Sequence, residues 1–322
     1  MGRPAQFDQD YGTAGTALRD GLARADMSLA NVRPVLRHLL GSTDNALFSE
    51  DIVARVRGLL HDLATQLVAA LGEKTGHPDA RHWAPSAAGG LAAALADDAA
   101  LLGHVHALAI EAQLSERLAT RLALDPVLPP LVNALIASSE ERTASAAMAL
   151  LAAQARFVQA QRRGEHALGE LPADLLHAVL LTMRAYVEAD DPSAAPIADQ
   201  AERDIRAAYD EGHSRLGLLS RLVETMGGGA VAALDLTHGG LALFVTALAE
   251  GSDQSRDVAI LATSESQTAR LALGLIACGI RPTAVEQQLL AIHPEAEVPE
   301  GLEQFGASAA AALLASSSPV AR

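Results

Sequence analysis

The sequence predicts an all-α protein, built as an irregular helical repeat or as two packed helical bundles. Three observations carry that expectation. Half of the 322 residues are hydrophobic yet only 3% are aromatic, so Ala and Leu supply the apolar surface. Ala is the best helix former because it loses no side-chain entropy and hides no polar group. Apolar residues recur at intervals of three and four, and the alternating Val, Ile, Thr and aromatic runs that strands need are missing. A chain of this length exceeds the usual single core. The expected organisation is an N-terminal helical segment (1–72), a central bundle (86–226) and C-terminal helical hairpins (230–316).

Residues 1–12 read as a tail, followed by helices near 13–25, 28–40 and 49–72. The third has the clearest pattern. Ser49 is its expected cap, and Glu50 and Asp51 occupy the first turn, where the helix dipole favours anions. Ile52, Val56, Leu59, Leu60, Leu63, Leu67 and Leu71 form one stripe, and Gly72 is the expected stop. "EKTGHPDARHWAPSAAGG" (73–90) reads as a loop and a boundary. Helices resume near 86–96 and 98–123. Another opens at Pro129 and Pro130, which a first turn tolerates because their missing N–H groups have no partner there. Further helices are expected near 139–163, after "GELP", near 196–211 and near 213–226, the last ending at Gly227–Gly228–Gly229. Beyond it lie short apolar segments of ten to fifteen residues divided by Gly, Ser or Pro. Helices this short are marginal alone and must be held by neighbours, as in a stacked array.

The formal charge of −15 opposes nucleic-acid and anionic-membrane binding, which rest on Lys and Arg. No apolar run approaches the ~20 residues that span a bilayer. The start "MGRPAQFDQD" has no apolar core of a signal peptide, and Gln6 stands where myristoylation needs Ser or Thr. One cysteine, Cys278 in an apolar run, excludes an internal disulfide framework and reads as a small buried hydrophobe. A cytoplasmic setting is expected.

Two resemblances add to this reading. The run 238–292, through "LALFVTALAEGS", "ARLALGLIACGI" and "VEQQLLAIHPE", resembles the C-terminal part of an alphaproteobacterial family of all-helical proteins of unknown function. That implies helical-repeat architecture and bacterial origin, and supplies no catalytic residue. "HDLATQL" (61–67) resembles the H-box of sensor histidine kinases and histidine phosphotransferases. The resemblance implies a phosphoacceptor at His61, a base at Asp62 and a dephosphorylation-positioning hydroxyl at Thr65. His61 lies off the apolar stripe, near Arg57 and Thr65, as a solvent-facing nucleophile must. Gln66 stands where that family usually has Pro. "LGLLSRLVETMGG" (216–228) resembles the last glycine box of the kinase ATP-binding domain, but no Asn-rich box appears at 175–187, so no nucleotide cofactor is expected. "VRPVLRHLLGSTDN", around His38, is one residue short of a phosphotransfer motif.

The remaining candidates read as structural. His104 and His106 point about 200° apart on a helix and cannot share one ion, one facing the core edge and the other solvent. His77, Asp79 and His82 have metal-like spacing in a loop that Trp83 is expected to anchor. The Gly227–Gly229 run follows a helix and lacks the Lys of a phosphate loop, so it reads as a cap and turn, as does His238–Gly239–Gly240. No metal is expected. The function expected is that of a non-enzymatic regulatory or scaffolding protein with a protein or peptide partner, or itself, in grooves between its helices. A two-component signalling protein acting through His61 is the alternative.

Overall fold

The computed structural model describes residues 12–41 and 50–317. Among them the chain is all-α, with fifteen α-helices, short 3-10 turns and no strand. α1 (Gly12–Gly41), α2 (Glu50–Lys74), α3 (Ala80–Ala87), α4 (Gly89–Leu95) and α5 (Ala99–Leu122) form the first part. α6 (Pro130–Ile136), α7 (Glu141–Arg163), α8 (Ala173–Asp190), α9 (Ala195–Ala208) and α10 (Arg215–Met226) follow. The last five are α11 (Leu236–Gly251), α12 (Arg256–Leu261), α13 (Thr268–Ala277), α14 (Pro282–Ile292) and α15 (Ala307–Ser316).

Local chemistry sets the ends. Asp98 accepts the amides of Ala100 and Leu101 and starts α5. Ser214, Asp235 and Ser255 cap α10, α11 and α12 in the same way. Pro130 fills the first turn of α6, and Gly164, left-handed at φ 70°, ends α7.

Three sequence expectations need correction. The helices expected at 13–25 and 28–40 are one helix, α1, which runs through Pro34. Proline removes one hydrogen bond inside a helix. Here both halves of α1 are anchored, Leu18 and Leu22 at one end and Leu36 and Leu39 at the other, and that burial outweighs the loss. Gly72 does not stop α2, which continues to Lys74. Its bare Cα lets α3 close in, and a Cβ there would lie 3.0 Å from Ala80 Cβ. Consequently the loop expected over 73–90 shrinks to a turn, and α3 and α4 occupy most of it. The expected Ser49 cap lies outside the described residues.

The buried apolar side chains form two clusters. One gathers Leu18 and Leu22 of α1 with the C-terminal part of α5, α6, α7 and α10 to α15. The other gathers Leu36 and Leu39 of α1 with α2, α3, α4, the N-terminal part of α5, α8 and Ala201 of α9. α1 and α5 contribute to both. No single described helix is long and apolar enough to cross a membrane; α4 and α5 pass that test only as a pair, bent by 98°.

Candidate functional site

Where α5 passes from one cluster to the other, its buried face changes from leucine to charge. Leu101, His104, Leu108, Glu111, Leu114 and Leu118 lie at helical spacing on the same side of the rod, and all six are buried. Glu111 receives four hydrogen bonds from two guanidinium groups. Arg215 Nη1 and Nη2 donate at 2.8 and 2.9 Å, and Arg256 Nη2 and Nη1 at 2.8 and 2.9 Å. Arg215 also donates to Gln154 Oε1, lies 3.6 Å above the Phe157 ring, and has its amide bound by Glu170. Arg256 donates further to Thr246. The knot therefore ties α5, α7, α10, α11 and α12 together. Burial pushes the Glu111 carboxyl up, but the two arginine charges and their hydrogen bonds outweigh it and hold it well below the carboxylate range.

Next to Arg256, Asp257 accepts from His104 Nδ1 at 3.0 and 3.1 Å. Burial raises the Asp257 carboxyl and the His104 interaction outweighs it, so the group stays ionised. With Nδ1 committed to the Asp257 carboxylate, Nε2 is the ring nitrogen left over. That nitrogen is sealed from solvent and has no hydrogen-bond partner among the described residues, with the His166 ring 6.2 Å away. A His–Asp pair has the composition of a general base, but a sealed Nε2 cannot take a proton from a substrate in the cleft. His166 is buried and its pKa falls to about 3, by desolvation and then by His104 and Arg215. His106 is buried too, and desolvation lowers it to about 4 against a smaller opposing effect from Asp257.

The expectation that His104 or His106 faces solvent is thus wrong: they are 2% and 4% exposed. Two residues apart, they border one cleft from opposite sides of the α5 face, because α1 and α12 wrap that half of the helix. The cleft is about 340 Å³. Leu29, Val32 and Leu36 of α1, Leu216 of α10, and Val258 and Leu261 of α12 line it. Its polar lining includes Arg33, His104, His106, Asp174, Arg256 and Asp257. Arg33 lies over Gly103, where a Cβ would come within 3.0 Å of its Nε, and it has no ion-pair or hydrogen-bond partner among the described residues. His106 Nδ1 is buried and equally unpartnered.

The H-box residues sit elsewhere. His61 is half-buried and lines a groove of about 550 Å³ between α2 and α4 with Arg57. Asp62 is not hydrogen-bonded to His61. Its Oδ2 accepts the His166 amide at 2.8 Å and Gln66 Nε2 at 2.7 Å. Gln66 in turn holds the His166 carbonyl and the Leu168 amide. Asp62 and Gln66 therefore clamp the turn after α7 onto α2, and burial raises the Asp62 carboxyl. Thr65 Oγ1 donates to the His61 carbonyl at 2.8 Å.

His77 stacks on Trp83, and His82 stands 3.6 Å from Asp79 on the surface. Among the described residues no group of three His, Cys, Asp or Glu is arranged to hold a metal. His38 is exposed on α1. Gly227 begins a 3-10 stretch that runs to Leu234, and His238 lies in the first turn of α11. Cys278 Sγ is pushed up to about 12 by burial, which makes it a poor nucleophile.

Sequence reasoning missed Glu111, Arg215 and Arg256. The signal was present: each occupies an apolar stripe, Arg215 with Leu218, Leu219 and Leu222, and Arg256 with Ala259 and Ile260. A charge on a stripe must find a partner inside.

Comparison with protein-family models, with curated proteins and with solved structures found no match to this chain.

Proposed function

We propose that the chain is a non-enzymatic regulatory protein of the bacterial cytoplasm, which acts by binding in the grooves between its helices and relays that occupancy to a protein partner or to a second copy. The observation that carries this reading is the cleft between α1, α5 and α12. Its Arg33 guanidinium has no partner among the described residues, while the Glu111 knot fixes two of its walls, α5 and α12. Groups left without partners in a held cavity are those of a preorganised receptor, since a ligand then costs little reordering. The sealed Nε2 of His104 favours binding over acid–base chemistry.

The test is thermal unfolding of the full chain with low-molecular-weight fractions of a bacterial extract. A fraction that binds the native state raises Tm. Val258→Phe, which fills the cleft, is expected to abolish the rise. No rise in any fraction, or an equal rise in both proteins, contradicts the reading.

A second reading, phosphotransfer through His61, is favoured by one feature: His61 borders an open groove beside the cation Arg57. It expects an acid-labile phosphoryl label that His61→Gln removes. A label retained by that variant ends it.

A further inference from the structure

The cleft's polar groups carry both signs of charge. Arg33 offers a guanidinium that has no partner among the described residues. Asp257, one-third exposed, keeps free lone pairs beyond its bond to His104, and Asp174 stands exposed at the rim. Arg256 also reaches the cleft but is spent on Glu111. A plain anion would meet two carboxylates, and a plain cation would meet Arg33. The remaining wall is aliphatic, and a volume of about 340 Å³ is at the small end for ligand pockets.

We infer that the cleft receives an apolar α-amino acid as its zwitterion, with Arg33 on the carboxylate, Asp257 on the ammonium, and Leu29, Val32 and Leu261 around the side chain. A planar guanidinium suits a carboxylate because two parallel N–H groups meet its two oxygens. Gly103 is part of the site by omission: without a side chain it leaves Arg33 room above α5.

This inference rests on the cleft being the binding site, and its test separates the two. Isothermal titration of the full chain uses L-leucine, 4-methylpentanoate, which lacks the amine, and 3-methylbutylamine, which lacks the carboxylate. Leucine is expected to bind saturably and each analogue at least about tenfold more weakly, a loss of about 1.4 kcal/mol. Arg33→Met is expected to weaken leucine by at least as much. Gly103→Ala, whose Cβ would meet Arg33 Nε at 3.0 Å, should weaken leucine by a smaller factor, since it shifts the guanidinium only slightly; the analogue series decides the matter if Arg33→Met misfolds. No saturable heat with millimolar leucine, analogues as tight as leucine, or unchanged affinity in a folded Arg33→Met overturns the inference. If leucine fails while an extract fraction still stabilises the wild type but not Val258→Phe, the amino-acid assignment falls and the binding reading stands. If the fractions fail as well, both fall.

Discussion

Glu111 and Arg215 meet head-on in the interior, carboxylate against guanidinium, through two hydrogen bonds of 2.8 and 2.9 Å, each side chain 2% exposed. Arg256 closes on the same carboxylate from α12. Breaking such a pair is costly because the charges left behind remain buried. Glu111→Gln would leave two guanidinium groups around a neutral amide, and it is expected to cost about 3–5 kcal/mol in urea unfolding. A loss under about 1 kcal/mol would mean that water reaches the knot.

Two buried histidines set the acid response. The unfolded chain protonates them near 6.5, whereas the fold keeps His106 neutral down to about 4 and His166 down to about 3. Between those values the unfolded state binds more protons, so stability is complete above pH 6.5 and falls as the pH drops. The expected loss is up to about 1.4 kcal/mol per pH unit for each ring. Below about 4.5, where the unfolded chain protonates its glutamates, Glu111 adds its own loss. A series of urea titrations from pH 7 to pH 5 checks this, and His166→Gln should reduce the slope by about one proton. A flat profile over that range would contradict the burial of both rings.

Gly240 bends α11 at φ 71°, with Pro129 pressed against it. A Cβ there would lie 2.7 Å from Pro129 Cγ, and a proline ring cannot swing away as a long side chain does. Gly240→Ala meets both the clash and the left-handed strain, and should lose about 1–3 kcal/mol in thermal unfolding. A neutral result would show that α6 moves freely against α11.

Asp62 separates the two functional readings. Asp62→Ala removes the acceptor of the His166 amide, and the expected cost is about 1–3 kcal/mol of stability. Phosphotransfer through His61 expects a loss of label in addition, and the binding reading expects no label to lose. Urea unfolding alongside a labelling assay distinguishes them.

Much of the fold was legible because helical spacing is a local property. The stripe through Ile52, Val56, Leu59, Leu60, Leu63 and Leu67 is buried throughout α2. The short C-terminal segments became α11 to α15. What local patterns could not give was decided by distant packing: the passage of α1 through Pro34, the approach of α3 to Gly72, and the folding of Ala80–Ala87 into helix. The site was less legible. Glu111 and Arg215 are 104 positions apart, and His104 and Asp257 are 153 apart. No spacing rule joins them, although charges on apolar stripes marked the positions at which to look. His61 was conspicuous through its neighbours, and two of these, Asp62 and Gln66, serve as a clamp.

The central claim is that ligand enters between α1, α5 and α12. Hydrogen–deuterium exchange of the full chain, with and without the stabilising extract fraction, tests it most directly. Protection confined to residues 29–36, 100–106 and 255–261 is the predicted result. Protection on the α2–α4 groove around His61 instead, or none at the cleft, would contradict it.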